Sequence, residues 1–435
     1  MDGEAFIDCT VGELAAQTRN SLVGGPFGSD LVSKDYVPTG VPVIRGTNMG
    51  HGRWVDGEFA YVTPEKAESL SSNCAKPGDI VFTQRGTLGQ VALVPKKGAD
   101  RYLISQSQMK LTVDAEKADP MFLYYIFSSA EQQDYIRQNA IQTGVPHTNL
   151  GILRNTPLTL PPLAKQKAIA AALGALDDKI DLNRRMNATL EAMARALFQS
   201  WFVDFDPVRA KLDGREPFWL DPDTAALFPD TFQDSELCRI PNGWTLGRVV
   251  DASDFSRSSI SPGGFPDETF DHYSLPAFDE GRTPKAEFGG AIMSNKLVVT
   301  RDSILLSKLN PHIPRIWLPD LHATRRSVCS TEFIVATPRV GYSREFLFSL
   351  FTSAAFASSY CTLVTGTTGS HQRIRPESVL DMNTVIPPPQ LVEVFTAVAK
   401  PMLDQINRNI DQSRILASLR DTLLPRLLSG ELSIN

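Results

Sequence analysis

Two regions of the chain, one in each half, concentrate side chains that can read the edges of DNA bases. In the first half they stand in turns such as residues 45–48 (Arg-Gly-Thr-Asn) and 85–87 (Arg-Gly-Thr). Arginine can donate two coplanar hydrogen bonds to guanine O6 and N7, and asparagine or glutamine can bond adenine N6 and N7 in the same manner. The DNA-contacting residues predicted for this half are Arg45, Thr47, Asn48, Arg85, Thr87, Gln90, Gln106, Thr143, His147 and Asn149.

The second half carries a comparable set of basic and amide side chains, again in turns. Any one of these residues is more often a solvated loop side chain than a DNA contact. The prediction therefore depends on their recurrence at equivalent places in both halves. The DNA-contacting residues predicted here are Lys308, Asn310, His312, Arg315, Arg325, Arg326, Thr367, Thr368, His371 and Arg373.

Residues for catalysis do not assemble into a pattern. No Gly-rich loop ends in Gly-Lys-Ser/Thr, so the sequence gives no sign of an ATPase. The six histidines show no metal-ligand spacing, and no Ser-His-Asp arrangement is present. The proline pairs at 161–162 and 387–388 lack the polar and aromatic flanks of an amino-methyltransferase motif. The sequence thus predicts a non-catalytic chain with no catalytic residues, metal or cofactor of its own.

Composition bounds the class of protein. The chain has 435 residues, 43 Lys and Arg, 49 Asp and Glu, and a net charge of −6. No apolar run approaches the roughly 20 residues of a membrane helix, and the five cysteines form no C-x-x-C pair. These features predict a cytoplasmic protein with reduced thiols and no membrane association. The acidity of the whole chain opposes DNA binding, but residues 206–240 alone carry four basic and eight acidic side chains, a net charge of −4.

The chain repeats itself. Residues 161–202 align with 387–428 at a constant offset of 226, and upstream the resemblance continues at an offset of 224. Both aligned segments carry apolar residues at alternating spacings of four and three, which indicates two long helices with a heptad seam. If the helices pair antiparallel, Asn183 should lie near Asn409. The residues predicted to pair the helices are Ile180, Asn183, Leu190, Leu197, Ile406, Asn409, Leu416 and Leu423.

Outside these helices the pattern is that of short strands, turns and a few short helices. Apolar runs at 41–44, 80–83 and 304–307 predict buried strands. The predicted fold class is α+β, and the Pro- and Asp-rich segment between the halves is expected to be partly ordered. The predicted divisions are a first domain at 1–158, a first long helix at 159–205, a connector at 206–240, a second domain at 241–384 and a second long helix at 385–435.

Several stretches together resemble the specificity (S) subunits of type I restriction–modification systems. The resemblance covers nearly the whole chain, but Lys165 stands where the family usually has an acidic residue, and the second helix start lacks the usual Glu-Gln. The stretches that carry it are residues 25–29, 40–46, 78–81, 85–89, 160–166, 176–180, 190–193, 200–207, 240–244 and 424–432.

The resemblance implies two mixed α/β target-recognition domains in pseudo-two-fold repeat, separated by two long antiparallel helices that form a coiled coil. Each domain would read one half of a bipartite, asymmetric DNA site, and the helices would set the gap. Partners would be double-stranded DNA, two methyltransferase subunits that methylate adenine with S-adenosylmethionine, and two restriction subunits that use ATP and Mg.

Three other functions were weighed against this one. A DNA methyltransferase with a fused reader would need an S-adenosylmethionine motif, which the sequence lacks. A non-catalytic coiled-coil scaffold would bind no duplex, even with methyltransferase subunits present. An orphan DNA-binding protein of a related defence system is the remaining alternative.

Overall fold

The computed structural model describes residues 6–50, 52–142, 145–236, 238–321, 324–364 and 372–432. The chain divides into two compact units. Unit 1 comprises the residues up to 182 together with those from 413 onward, and unit 2 comprises 183–412. This division falls inside both long helices rather than at their ends, because each half-helix packs on the globular part of its own unit.

Unit 1 contains eleven strands, four short helices and parts of two long ones in the described residues. The strands are β1 (Ile7–Thr10), β2 (Leu22–Gly24), β3 (Tyr36–Val37), β4 (Val41–Ile44), β5 (Ala60–Val62), β6 (Cys74–Ala75), β7 (Ile80–Thr83), β8 (Val91–Leu93), β9 (Tyr102–Ile104), β10 (Gln108–Leu111) and β11 (Pro157–Leu160). The short helices are α1 (Pro64–Ser69), α2 (Pro120–Ser128), α3 (Ala130–Gln138) and α4 (Leu150–Arg154), and the first long helix is α5 (Leu163–Phe202).

Unit 2 contains thirteen strands, seven short α-helices and parts of the same two long helices in the described residues, and the connector supplies some of these. Its helices are α6 (Asp206–Leu212), α7 (Pro222–Ala226), α8 (Val249–Ala252), α9 (Leu275–Asp279), α10 (Arg344–Thr352), α11 (Ala354–Thr362), α12 (Pro376–Leu380) and the long α13 (Pro389–Leu428). Its strands are β12 (Phe232–Asp234), β13 (Arg239–Pro241), β14 (Thr245–Arg248), β15 (Ser253–Ser256), β16 (Ser259–Ile260), β17 (Thr269–Tyr273), β18 (Lys285–Phe288), β19 (Lys296–Val299), β20 (Ile304–Ser307), β21 (Ile316–Trp317), β22 (Arg326–Cys329), β23 (Phe333–Pro338) and β24 (Asn383–Ile386).

The two units share one sheet topology. A four-stranded sheet has the order β2-β10-β7-β8 in unit 1 and β15-β23-β20-β21 in unit 2. A second, five-stranded sheet contains the order β5-β4-β9-β6 in unit 1 and β18-β17-β22-β19 in unit 2. Its fifth strand differs between the units, since β3 is added beside β5 in unit 1 and β16 beside β19 in unit 2. Both second sheets contain one parallel pair, β4 with β9 and β17 with β22. The repeat and the mixed α/β fold predicted from the sequence are therefore present in the structure.

The two 40-residue helices, α5 and α13, run antiparallel in each unit. In unit 2, Asn183 Nδ2 donates to the backbone oxygen of Asn409 at 3.3 Å, and Asn409 Nδ2 donates to Asn187 Oδ1 at 2.7 Å. Asn183 is fully buried and Asn409 is 3% exposed. This is the juxtaposition that antiparallel pairing of the two seams requires. None of the described helices combines the length and the apolar character needed to cross a membrane.

Aromatic packing organises the core of unit 2 around the C-terminal half of α5. Phe202 packs edge-on against Phe346 and Phe395, with ring centroids 5.2 and 5.3 Å away. Trp201, only 2% exposed, meets Phe228 of the connector at 5.3 Å. Edge-to-face pairs of this kind add to the stabilisation from burial alone.

The connector is more ordered than the sequence predicts. Residues 206–240 form α6, α7 and the β12–β13 hairpin, and Val208 and Phe228 are buried in the core of unit 2. The Pro- and Asp-rich composition gave no sign of this order. A few apolar side chains, far apart in the segment, anchor it to the core. The connector therefore belongs structurally to unit 2.

Candidate nucleic-acid interface

In unit 1, several loops that carry predicted DNA contacts come together at one end of the two sheets. Strands β4 and β9 run parallel, so residues 45–48 and 105–107 follow their carboxyl ends side by side. The backbone links them, since the Ser105 amide donates to the Ile44 carbonyl at 3.0 Å. The amides of Gln84 and Arg85 both bond the Ser107 carbonyl, which brings the β7–β8 hairpin to the same place.

Residues 145–149 complete this cluster, called here the unit 1 loop cluster (residues 45–50, 84–90, 105–108 and 145–149). His147 forms a β-bridge with Arg85, and the Thr148 amide donates to the Gln84 carbonyl at 3.0 Å. Four stretches far apart in sequence thus form one surface. Such a surface can contact several adjacent base pairs at once.

Among the side chains of this cluster, that of Arg85 is best placed to extend from the protein surface toward a ligand. It is exposed, and no hydrogen bond or ion pair engages its guanidinium among the described residues. The hairpin that presents it turns through Gly86 and Gly89, whose φ angles of 98° and 87° favour glycine. Gln133 Nε2 holds the same hairpin from α3 by donating to the Gly89 carbonyl at 2.6 Å.

Two residues predicted to contact DNA use side-chain atoms in hydrogen bonds within the protein. Asn48 is fully buried, and its amide nitrogen donates to the carbonyls of Asp56 and Glu58 at 3.2 and 3.0 Å. Asn149 caps helix α4, since its Oδ1 accepts from the Ile152 amide at 2.9 Å. Both residues shape the loops, and full burial leaves the Asn48 amide with no surface to offer a base.

The other predicted residues of unit 1 lie in the cluster with part of their hydrogen-bonding capacity used. Arg45 donates from Nη2 to the Glu58 carbonyl at 3.4 Å, and Gln106 donates from Nε2 to the Leu31 carbonyl. Gln90 Oε1 accepts from Thr83 Oγ1 at 3.2 Å. The side chains of Thr47 and Thr87 are exposed, and His147 Nδ1 lies 3.1 Å from the Val145 carbonyl. Thr143 lies outside the described residues.

Unit 2 builds the corresponding surface in the corresponding way. The Ser330 amide donates to the Tyr273 carbonyl at 2.9 Å, beyond the carboxyl ends of the parallel strands β17 and β22. The Lys308 amide donates to the Glu332 carbonyl at 2.8 Å, and Leu309 forms a β-bridge with Arg373. This arrangement repeats the contacts of Ser105, Arg85 and His147 in unit 1. The unit 2 loop cluster comprises residues 308–315, 330–332 and 372–374.

The basic side chains of this second cluster fall into two groups. Lys308 Nζ has no ion-pair partner among the described residues, and His312 is exposed. Arg315 instead makes two hydrogen bonds to Asp279, at 2.7 and 2.8 Å, and Arg373 Nη2 donates to Glu332 Oε1 at 2.8 Å. The two hydrogen bonds from Arg315 to one carboxylate fix the plane of its guanidinium.

Asn310 has a strained backbone and an unsatisfied side-chain oxygen. Its φ is 50°, in the left-handed region, and its buried Oδ1 has no hydrogen-bond partner in the described residues. Its own amide donates to the Gln372 carbonyl at 3.0 Å. The residue therefore lies inside the unit 2 loop cluster with one acceptor unused, and its contact with DNA stays a prediction.

Arg325 and Arg326 do not belong to the unit 2 loop cluster. They stand at the amino end of β22, whereas the cluster lies beyond its carboxyl end. Arg326 Nε donates to Glu268 Oε1 at 2.6 Å, and its guanidinium stacks on Phe265 at 4.2 Å. The hydrogen bond from Arg326 lowers the pKa of the Glu268 carboxyl, so the pair is charged on both sides. Arg325 pairs with the buried Asp271 at 2.8 Å.

Both arginines are engaged in ion pairs within the protein, and base reading by them stays a prediction. Thr367, Thr368 and His371 lie outside the described residues. The carboxylates that hold Arg315 and Arg373 were missed at the sequence level. No local signal marks them, since 36 and 41 residues separate the partners. The described residues contain no group of three or more His, Cys, Asp or Glu that could hold a metal ion.

Comparison with known proteins gives the same assignment as the motifs. Residues 33–192 match the family model of the type I restriction modification DNA specificity domain. The type I restriction enzyme HindI specificity subunit of Haemophilus influenzae is 25% identical over 408 residues, which cover 82% of this chain and 87% of that protein. The MjaIX specificity subunit of Methanocaldococcus jannaschii is 23% identical over 427 residues, covering 95% and 91%.

A solved structure shares the fold over almost the whole length. The type I restriction–modification system S subunit from M. genitalium superposes with a TM-score of 0.56 and 15% identity, covering 98% of this chain and 97% of that chain. At this identity the superposition supports the fold alone. Together with the match of residues 33–192 to the DNA specificity domain, the relatives place the similarity of this chain, over most of its length, with the specificity subunits of type I restriction–modification systems.

Proposed function

We propose that this chain reads a bipartite, asymmetric DNA site, with one loop cluster on each half-site. The observation that carries the proposal is the recurrence of one surface in both units. In each, donors from separate loops meet beyond the carboxyl ends of a parallel strand pair. The side chains differ between the clusters, with Arg85 prominent in one and Lys308 in the other, which supports recognition of two different half-sites.

The proposed partners are two methyltransferase subunits and two restriction subunits. The methyltransferase subunits would use S-adenosylmethionine, and the restriction subunits would use ATP and Mg. Charge supports dependence on these partners. Four of the six net negative charges lie in residues 206–240, and the remainder of the chain is near neutrality. Such a chain has little electrostatic attraction for DNA in general, since that attraction comes from a surplus of Lys and Arg near phosphates.

The proposal can be tested by selection from random duplexes. The full chain, mixed with its methyltransferase subunits, is incubated with randomised DNA, and bound duplexes are sequenced. We expect two blocks of defined sequence separated by a fixed number of unspecified base pairs. Recovery of no enriched sequence in the assembled complex would favour the coiled-coil scaffold instead, and one continuous block would refute the two-reader arrangement.

Replacement of Arg85 by alanine should weaken recognition of one half-site only. Its guanidinium is exposed and unengaged among the described residues, so its loss removes a contact without disturbing the loop. If it donates to a base, the expected cost is about 1–3 kcal/mol on the cognate duplex and much less on duplexes altered at that base. The measurement is the Kd of the assembled complex for the cognate duplex and for single-base variants.

Arg326→Ala is the matched control, because Arg326 is held by Glu268 away from the loop cluster. We expect the Arg326→Ala complex to keep the base preference of the wild type at every position. Equal weakening on all sequences by Arg85→Ala would assign that arginine to phosphate contact. A changed base preference in Arg326→Ala would return that arginine to the reading surface.

A further inference from the structure

Two adjacent aromatic side chains of the connector project into solvent. Phe218 is 91% exposed and Trp219 is 69% exposed. Their rings pack edge-on against each other, with centroids 5.6 Å apart and an interplanar angle of 88°. Scattered surface hydrophobics are common, but a contiguous Phe–Trp pair at this exposure is typical of an interaction site.

The frame around this pair is ordered. Val208 of α6 and Phe228 after α7 are buried in the core of unit 2, and Lys211 Nζ donates to the Phe228 carbonyl at 2.6 Å. Between them, Pro217 is buried, and its carbonyl accepts from the Leu220 amide at 3.2 Å. The two rings are thus presented from a fixed backbone, which reduces the conformational entropy lost when a partner binds them.

The electrostatic setting of the pair is acidic. Residues 206–240 have a net charge of −4, and Arg215 is already paired with Asp213 at 2.8 Å. The carboxylates of Glu216 and Asp223, which flank the pair in sequence, have no ion-pair partner among the described residues. This charge disfavours DNA as the occupant. It also disfavours a second copy of the chain, because a symmetric contact would bring two acidic connectors together.

We infer that Phe218 and Trp219 dock into an apolar cleft bordered by Lys or Arg on a methyltransferase subunit. The inference rests on the proposed function, which requires that subunit whenever DNA is read. Charge complementarity provides attraction and orientation, and the two rings provide the buried area. Because the connector lies in unit 2, the contact would be made once per chain and would strengthen the binding of one methyltransferase subunit of the two.

The test is a titration of the full chain with its purified methyltransferase subunit, comparing wild type with the double variant Phe218→Ser, Trp219→Ser. We expect the double variant to bind one of the two methyltransferase subunits with a Kd at least tenfold higher than that of the wild type. The Kd values of the two binding steps should therefore be closer together in the double variant than in the wild type. Wild-type binding at the stronger step should weaken as salt rises. The control is Met293→Ser with Val340→Ser, which removes two fully or almost fully exposed hydrophobics of unit 2 outside the connector.

The outcomes separate the inference from the proposed function. Unchanged binding by the double variant, with native circular dichroism, would overturn the inference and leave the proposed function intact. No binding by the wild type would overturn the proposed function as well. Unchanged methyltransferase binding with weakened DNA binding would assign the pair to nucleic acid and also overturn the inference.

Discussion

Deletion of residues 183–189 from α5 alone should abolish DNA binding by the assembled complex. These residues include Asn183 and Asn187, which exchange hydrogen bonds with Asn409 and with the Ile406 carbonyl at 2.7–3.4 Å. Removing seven residues shifts the later part of α5 by about 10 Å along its axis. Phe202 then no longer meets Phe395, and buried amides of α13 lose their partners, so unit 2 should unfold.

Matched deletion of 183–189 and 403–409 should restore folding. The second segment is the stretch of α13 that faces the first in unit 2, so both sides of the seam lose one heptad. If the helices set the gap between half-sites, the recognised spacer should shorten by about 10 Å, the length of about three base pairs. The measurement is selection from random duplexes, as for the wild type.

A control for this experiment keeps length and changes composition. Exposed positions within 183–189 and 403–409 are replaced by alanine or glutamate, with the seam residues retained, and this variant should select the wild-type spacer. A folded, DNA-binding double deletion that still selects the wild-type spacer would contradict the proposed spacing role of the helices.

The second large effect is expected from Asp177→Ala, which should destabilise unit 1 by about 3–5 kcal/mol. Asp177 is 6% exposed and accepts hydrogen bonds at 2.7 Å from Tyr125 and from Arg420. Burial, followed by the negative charge of Asp177, raises the pKa of Tyr125, so its hydroxyl remains a donor. Alanine would leave a buried phenol and a largely buried guanidinium without their acceptor.

The chain offers two controls for this prediction. Asp421 pairs with the same Arg420 but is 63% exposed, so Asp421→Ala should change stability by less than about 1 kcal/mol. The second control is a variant suggested by the internal repeat. The unit 2 positions equivalent to Arg420, Tyr125 and Asp177 are occupied by Ala194, Ser349 and Leu403. These three unit 2 residues are 3–4% exposed. The combined variant Asp177→Leu, Arg420→Ala, Tyr125→Phe should therefore recover most of the lost stability.

Hydrogen–deuterium exchange measures this effect unit by unit. Amides of unit 1 should exchange faster in Asp177→Ala, while amides of unit 2 provide the internal reference. Equal protection in Asp177→Ala and Asp421→Ala would show that the buried carboxylate is not the structural anchor of unit 1.

The features predicted well from the sequence are those that depend on local periodicity. The strand at 41–44 is bounded by Gly40 and Gly46 and consists of apolar residues, so its burial follows from the sequence. The facing of Asn183 and Asn409 follows from two seams of equal period. These patterns persist because burying one face is the dominant requirement on a helix or strand.

The features predicted badly depend on contacts between distant residues. Asn48 has the residue type of an adenine reader, but its side chain is fully buried and its amide donates to carbonyls eight and ten residues away. Arg326 is hydrogen-bonded to Glu268, 58 residues earlier, a contact that the sequence does not reveal. Donor-rich loops predict a candidate recognition surface, whereas tertiary packing decides which of their donors remain available.

The most direct test of the central claim is to sequence adenine methylation genome-wide in cells that express this chain together with its methyltransferase subunit. We expect one methylated motif with two unlike half-sites and a fixed gap, absent without this chain and altered in one half-site by Arg85→Ala. Methylation that does not depend on this chain, or a motif unaffected by its loop clusters, would contradict it.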